Sequence, residues 1–324
     1  MLVSMLVRLV RGIAVIVGVL ALTFVLLHAS PGDPVRRLLG PSATAGQVAA
    51  QRQVLGLDRP LPVQFAEWAR AFVRGDWGRS IETGEPVLRM IARAWPRTVE
   101  LAGISLLLSY LIGIIIGTIQ AARNRTSLDT GLSVATVTLF AMPSYWLGLM
   151  LVMLFAYALR WLPAFGATGL DADFLSPGAR VIDALRHLAL PLTTLTLIGI
   201  AGTARFVRAA MLDVQGEAFV TVAAAKGISG RRVRYHHVLR NALVPVVTLL
   251  GLSLPALFSG AVFVEAIFAW PGVGRVLVEA VQARDYPVVM AATAVSAILV
   301  VTGNLLAEWL AALTDPRLRE TSHA

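Results

Sequence analysis

The chain has 324 residues, of which 57% are hydrophobic and only 15% are charged, and its mean hydropathy is +0.74. Because so many apolar side chains cannot be buried in one soluble core, the composition predicts an all-α membrane protein that crosses the bilayer several times. The chain contains no cysteine, which excludes disulfides, thiolate nucleophiles and cysteine-ligated zinc or iron–sulfur centres.

The net charge of +9 comes from 28 basic residues, and Lys226 is the only lysine among them. A basic balance combined with this hydrophobicity indicates contact with anionic lipid headgroups rather than with nucleic acid. The sequence also lacks the interleaved aromatic and basic residues that would favour binding of single-stranded nucleic acid. We therefore expect membrane lipid, and no nucleic acid, among the partners.

Six apolar runs are long enough to cross about 30 Å of hydrocarbon at about 1.5 Å per residue. The first run follows Arg8 and Arg11 and could be a cleaved signal peptide, but Leu27-His28-Ala29 is a poor cleavage site. A retained first helix is therefore favoured. The six predicted spans are residues 12–30, 98–121, 132–159, 185–204, 246–268 and 288–313.

The distribution of basic residues predicts the orientation. Arg123 and Arg125 lie between the second and third spans, and residues 205–244 carry seven basic side chains against two acidic ones. By the positive-inside rule these loops and both termini are cytoplasmic. The predicted parts are an N-terminal membrane helix at 1–30, an extracytoplasmic segment at 31–94, a core of five membrane helices at 95–313 and a cytoplasmic tail at 314–324.

The external segment is predicted to be structured. Its first residues, Pro31-Gly32-Asp33-Pro34, favour a turn. From Pro62 onward, a helix would place Phe65, Trp68, Ala69 and Phe72 on one face. Such a helix either lies in the outer interface or packs on the membrane helices, and we expect packing.

Glycine and proline mark particular places in the spans. Gly113 and Gly117 form a GxxxG pair, which lets another helix approach closely. Pro143, Pro191 and Pro255 lie within or near spans and are expected to kink or break them.

One acidic residue, Glu265, lies near the outer end of the fifth predicted span. A carboxylate is costly in lipid, so this side chain should face protein or water. It precedes a segment that contains Trp270, Pro271 and Gly272. These four residues are candidates for a pathway or gate, and a structural pair or an interfacial position is the alternative for Glu265.

No pattern of catalytic or metal-binding residues stands out. None of the five histidines has a metal-ligand spacing, and a metal site at His28 and His187, both near the predicted outer face, is the alternative to hydrogen-bonded histidines. A phosphate-binding loop requires Gly-Lys-Ser/Thr, whereas Lys226 is followed by Gly227 and Ile228, and no serine-hydrolase elbow is present. We expect no metal, no catalytic residue and no nucleotide site in this chain.

The basic segment between the fourth and fifth spans is predicted to form helix, turn and helix. Glu217 would begin the first helix, with Phe219, Val222, Ala223 and Lys226 on one face. Such a segment either holds a cytoplasmic partner or rests on anionic lipid, and the residues alone favour neither.

Gly227 is predicted to be the left-handed residue that ends this first helix, with Ile228 making the usual apolar contact. Ser229 would then cap a second helix that carries four basic residues, Arg231, Arg232, Arg234 and Arg240.

The sequence Ala224-Ala225-Lys226-Gly227, followed by Arg240-Asn241-Ala242-Leu243-Val244-Pro245, resembles the cytoplasmic coupling loop of ABC-importer permeases of the dipeptide, oligopeptide and nickel branch. The general importer motif has Glu-Ala-Ala before its glycine, whereas Ala223-Ala224-Ala225 stand here. Further segments that resemble the family are Pro31-Gly32-Asp33-Pro34, Leu55-Gly56-Leu57-Asp58, Gly75-Asp76-Trp77-Gly78-Arg79-Ser80, Phe268-Ala269-Trp270-Pro271-Gly272-Val273-Gly274, Arg284-Asp285-Tyr286-Pro287 and Asp315-Pro316-Arg317.

The resemblance implies the type I ABC importer permease fold, with six transmembrane helices and a coupling loop at about residues 211–244. It implies a second homologous permease, two cytoplasmic ATPase subunits that bind ATP and Mg²⁺, and an extracytoplasmic substrate-binding protein. The chain would form half of a pathway for short peptides in the cytoplasmic membrane of a bacterium or archaeon, without being an enzyme itself. Nickel or another small solute is the alternative cargo, and a membrane-embedded enzyme or a channel is the alternative class.

Overall fold

The computed structural model describes residues 2–30, 34–40, 42–54 and 56–314, and these are mostly helical, with no strand among them. The α-helices, in chain order, are α1 (Leu2–Ala29), α2 (Pro34–Leu39), α3 (Ala45–Val54), α4 (Leu61–Val73), α5 (Val87–Ala122), α6 (Ser127–Ala141), α7 (Ser144–Leu151), α8 (Pro177–Gln215), α9 (Ala218–Ala225), α10 (Gly230–Arg232), α11 (Arg240–Ile267), α12 (Val273–Ala283) and α13 (Tyr286–Thr314). Two π-helical segments, Val152–Ala158 and Val233–Leu239, and a 3₁₀ turn, Ala172–Phe174, complete the list.

Four of the described helices are long and apolar enough to cross a membrane. They are Leu6–Ala29 within α1, the whole of α5 and α8, and Tyr286–Leu306 within α13. Each overlaps most of a predicted span. However, α5 and α8 are 36 and 39 residues long, so both extend well beyond the predicted boundaries.

The third predicted span, residues 132–159, is wrong as a single helix. Helices α6 and α7 meet at an angle of 105° at a short break that contains Met142 and Pro143. Proline disfavours helical geometry in the residue before it, and Met142 is accordingly extended, with φ −76° and ψ 130°. Pro143 therefore breaks the helix as predicted, whereas Pro191 and Pro255 lie inside the continuous helices α8 and α11.

The chain divides into two compact units, and helix α5 contributes to both. The first unit comprises the residues up to Thr98 together with Pro271–Val301. The second comprises Val99–Trp270 together with the described residues from Thr302 onward.

In the first unit, α4 packs on the apolar side of α1. Phe65 and Phe72 are half-buried against a cluster that includes Leu20 and Phe24, and the Phe65 ring lies edge-on to Phe24 at 5.5 Å. Trp68 stacks on Phe72 at 5.2 Å. The expected packing of this helix is confirmed, whereas most of the turn predicted at residues 31–34 lies outside the described residues.

Two segments that carry the family resemblance meet in the first unit. The buried carboxylate of Asp285 accepts hydrogen bonds from the Ser80 hydroxyl and from the backbone N–H of Ile81, the latter at 3.1 Å. Arg284, directly before it, ends α12 with φ +59°. Residues 75–80 and 284–287, about 200 positions apart, are thereby fixed to each other.

In the second unit, α5 packs closely on α8 at the GxxxG pair. A Cβ atom added to Gly117 would lie 2.6 Å from the backbone oxygen of Ala204, and one added to Gly113 would lie 2.7 Å from Cβ of Thr203. The two glycines therefore allow the helices to approach, as predicted.

An ion pair joins α6 to α8 in the same unit. The Arg208 guanidinium donates two hydrogen bonds of 2.8 Å to the Asp129 carboxylate and one of 3.2 Å to Asn124 Oδ1. Asp129, 3% exposed, also accepts from the backbone N–H of Arg125. This pairing was not predicted, because nothing in the sequence links residues 79 positions apart.

Candidate functional site

Helix α9 of the basic segment presents most of its surface to the outside. Only Val220 and Ala223 are buried, in a cluster that includes Met211, Val233 and Val238. Within the predicted face, Ala223 is buried, whereas Phe219 and Val222 are 43% and 51% exposed. The helix is thus attached along one narrow stripe and has an apolar outer face.

Residues of the predicted coupling loop lie at both ends of α9. Glu217 precedes α9 and is exposed, and its side chain makes no capping hydrogen bond. Ala224, Ala225 and Lys226 end the helix and are exposed as well. All of these side chains therefore lie on the surface of the second unit.

The turn after α9 has the geometry that the sequence predicts. Gly227 has φ +74°, and its N–H bonds to the Ala224 oxygen at 3.0 Å. The N–H of Ile228 bonds to the Ala223 oxygen at 3.4 Å, which completes a Schellman motif. Ile228 also packs on the cluster beneath α9, so its predicted apolar contact is confirmed.

The second half of the basic segment differs from the prediction. Ser229 precedes α10 but makes no side-chain capping hydrogen bond. The second helix is not a short separate one, because α10 continues through the π-helical segment Val233–Leu239 directly into α11. Arg231 and Arg232 are exposed at its start.

The candidate gate residues are mostly buried in protein. In the second unit, Glu265 is 0% exposed, and Trp270 is 1% exposed in a cluster with Leu101 and Phe268. The carboxylate therefore faces protein, as its cost in lipid requires. In the first unit, Pro271 is exposed and Gly272 is buried. A gating role for these four residues stays a prediction.

Among the described residues, no group of three or more histidine, aspartate or glutamate side chains could hold a metal ion. The imidazole of His28 lies within hydrogen-bonding distance of the Phe24 carbonyl oxygen, and that of His187 within such a distance of the Asp183 carbonyl oxygen. Both rings are thus engaged by their own helices.

The second unit contains a cavity of about 560 Å³ that the sequence did not reveal. Its wall is mainly apolar and includes Phe140, Leu195 and Phe206, and the described residues of the wall include no charged side chain. On this wall the Tyr110 hydroxyl and the Ser253 hydroxyl form a hydrogen bond of 2.7 Å. The volume lies within the range of small-molecule sites. The wall residues look like lipid-facing ones in the sequence, so no signal identified them.

Membrane-length helices, a broken helix pair, a small cavity and an exposed basic segment define a multi-pass helical membrane protein. The sequence matches the family model "Binding-protein-dependent transport system inner membrane component" over residues 110–320 and the corresponding N-terminal model over residues 1–102. The chain belongs to this family of ABC-importer permeases, as the resemblance predicted.

Curated relatives cover nearly the whole chain. The oligopeptide transport system permease protein AppB of Bacillus subtilis is 38% identical over 312 residues, which is 96% of this chain and 97% of the relative. The di/tripeptide transport system permease protein DppB of Pseudomonas aeruginosa is 37% identical, with 93% and 94% covered. The probable D,D-dipeptide transport system permease protein DdpB of Escherichia coli is 39% identical, with 94% of each covered.

Solved structures show the same fold at low sequence identity. The inward-facing MetNI methionine ABC transporter matches with a TM-score of 0.55 at 15% identity, covering 71% of this chain and 99% of the matched chain. An amino acid ABC transporter crystallised with histidines matches with a TM-score of 0.52 at 12% identity, covering 69% and 94%. The predicted permease fold is thus confirmed at the level of its helical core.

Proposed function

We propose that this chain is one of two permease subunits of an ATP-driven importer of short peptides. The observation that carries the proposal is helix α9, an exposed helix that ends in the Gly227 turn within a chain of the binding-protein-dependent transport family. The names of the curated relatives support peptides rather than nickel as the cargo.

The partners follow from the proposed role. A second homologous permease completes the pathway, two cytoplasmic ATPase subunits bind ATP and Mg²⁺, and an extracytoplasmic binding protein delivers the peptide. This chain crosses the cytoplasmic membrane of a bacterium or archaeon six times, with α6 and α7 counted together as one broken span and the continuous helix α11 as a further span. Both termini and the basic segment face the cytoplasm, and residues 31–94 are extracytoplasmic.

The exposed apolar face of α9 is the part that an ATPase subunit contacts. Phe219 and Val222 supply apolar area for that contact, while Arg231 and Arg232 supply positive charge beside it. Closure of the ATPases on ATP moves α9, and the short stripe of Val220 and Ala223 transmits this movement to α8 and α11. The permease is then a two-state element that ATP biases on one side and loaded binding protein on the other.

The test is to purify the complex through an affinity tag on this chain and to measure its transport activity. Reconstituted into proteoliposomes with the binding protein, the complex should take up a radiolabelled dipeptide only when ATP and Mg²⁺ are present at the cytoplasmic side. Uptake of Ni²⁺ but not of peptide would contradict the proposed cargo. Purification without any ATP-hydrolysing subunit would contradict the proposed role.

A further inference from the structure

An arginine stands at the edge of the uncharged cavity in the second unit. The Arg205 guanidinium lies over the ring of Phe140, with Cζ 5.0 Å from the ring centroid, and Phe140 is part of the cavity wall. Its neighbours along α8, Gly202 and Phe206, line the wall as well. The charge is therefore beside the cavity, held by an aromatic face.

This arginine is available for an anion, unlike the next one on the same helix. The Arg208 guanidinium donates its hydrogen bonds to Asp129 and Asn124. Arg205 is exposed, and within the described part of the chain no carboxylate lies within ion-pairing distance of it. A guanidinium offers a planar set of donors that matches a carboxylate.

The cavity otherwise offers a solute only apolar contacts and hydroxyl groups. The hydroxyls of the wall belong to Ser109, Tyr110, Ser144, Thr203 and Ser253. Such a wall tolerates many side chains and carries no charge that could orient a solute. A short peptide always bears a carboxylate at its C-terminus, whatever its sequence.

We propose that Arg205, positioned by Phe140, binds the carboxylate of the transported solute at the rim of this cavity. The inference rests on the proposed importer function and adds a ligand contact to it. The uncharged wall then accommodates variable side chains, while the single rim charge contacts the one anionic group that all linear peptides share.

The experiment compares Ala-Ala with Ala-Ala-amide in ATP-driven uptake by the purified complex in proteoliposomes. Arg205→Gln should reduce kcat/KM for Ala-Ala by roughly three- to tenfold, as loss of one partly exposed charged hydrogen bond does. The same substitution should leave uptake of the amide unchanged. Arg205→Lys, which keeps the positive charge, should lower kcat/KM for Ala-Ala less than Arg205→Gln does. Because wild type and variant use the same binding protein, its own preference cancels in their ratio.

The matched control is Arg180→Gln on the same helix, since Arg180 donates hydrogen bonds to the backbone oxygens of Asp173 and Leu175 and, among the described residues, pairs with no carboxylate. It should affect both peptides equally or not at all. An equal loss for both peptides with Arg205→Gln would contradict the proposal, as would an effect that disappears in liposomes without anionic lipid, which would assign Arg205 to a headgroup. Absence of ATP-driven uptake by the wild-type complex would instead contradict the importer function itself.

Discussion

At the scale of single residues, backbone geometry at Gly227 gives the clearest test. Its φ of +74° is unfavourable for any residue with a Cβ, although among the described residues no atom beyond its chain neighbours lies within 4 Å of where that Cβ would be. Gly227→Ala should therefore cost on the order of 1 kcal/mol through backbone strain alone. We expect weaker ATPase binding and a parallel loss of transport and of substrate-stimulated ATP hydrolysis, with membrane insertion retained.

Gly230 provides the control for this prediction, because its surroundings are equally open but its φ is not positive. Gly230→Ala should leave transport near the wild-type rate. If Gly227→Ala transports normally while neutral substitutions of Arg231 and Arg232 release the segment from anionic bilayers, the segment rests on lipid and does not couple to an ATPase.

At the scale of elements, local signals predicted backbone geometry better than side-chain environment. The Schellman turn at Gly227 and the break at Pro143 follow from constraints within a few residues. The buried stripe of α9, Val220 and Ala223, depends on what the helix packs against, which the sequence does not show. The apolar wall of the cavity was missed for a related reason, since packing and lipid contact select the same side chains.

Substitutions of two glycines in α5 test its contact with α8. Gly117→Ala would place Cβ 2.6 Å from a backbone oxygen, which cannot yield as a flexible side chain can. We expect a loss of roughly 1–3 kcal/mol in stability, as in other overpacked interiors. This loss of stability should lower the midpoint of thermal unfolding of the detergent-purified Gly117→Ala protein.

Gly103, also on α5, has no atom within 4 Å of its added Cβ. Gly103→Ala should leave the unfolding midpoint near that of the wild type. Equal midpoints for the Gly117 and Gly103 variants would show that α5 and α8 are not in close contact in the membrane.

At the scale of the whole molecule, hydropathy predicted the long helices because a segment that crosses lipid must be apolar and satisfy its own backbone hydrogen bonds. It did not predict α12, an 11-residue helix between α11 and α13, since that helix is too short and too polar to resemble a span. The pairing of Ser80 with Asp285 was also unpredictable, because it joins distant parts of the chain.

The proposed topology can be measured by cysteine labelling, since the chain has no native cysteine. Ser42, Ser176 and Ser229 are exposed. Single cysteines at Ser42 and Ser176 should react with an impermeant thiol reagent from outside, and one at Ser229 only after permeabilisation. Labelling of the Ser229 variant in intact cells would contradict the proposed orientation, because it would place the basic segment on the outer side, away from ATP.

A cross-link between α9 and an ATPase subunit tests the proposed coupling role of this chain. In the otherwise cysteine-free chain, Val222→Cys introduces a thiol at an exposed position of α9, and Ser176→Cys introduces one at the predicted outer face. A short thiol-reactive cross-linker should join the Val222 variant to a co-purifying ATPase subunit, with a yield that changes when ATP is bound, and should not join the Ser176 variant. Equal cross-linking yields from both positions, or no ATPase adduct at Val222, would contradict the proposed contact between α9 and the ATPase.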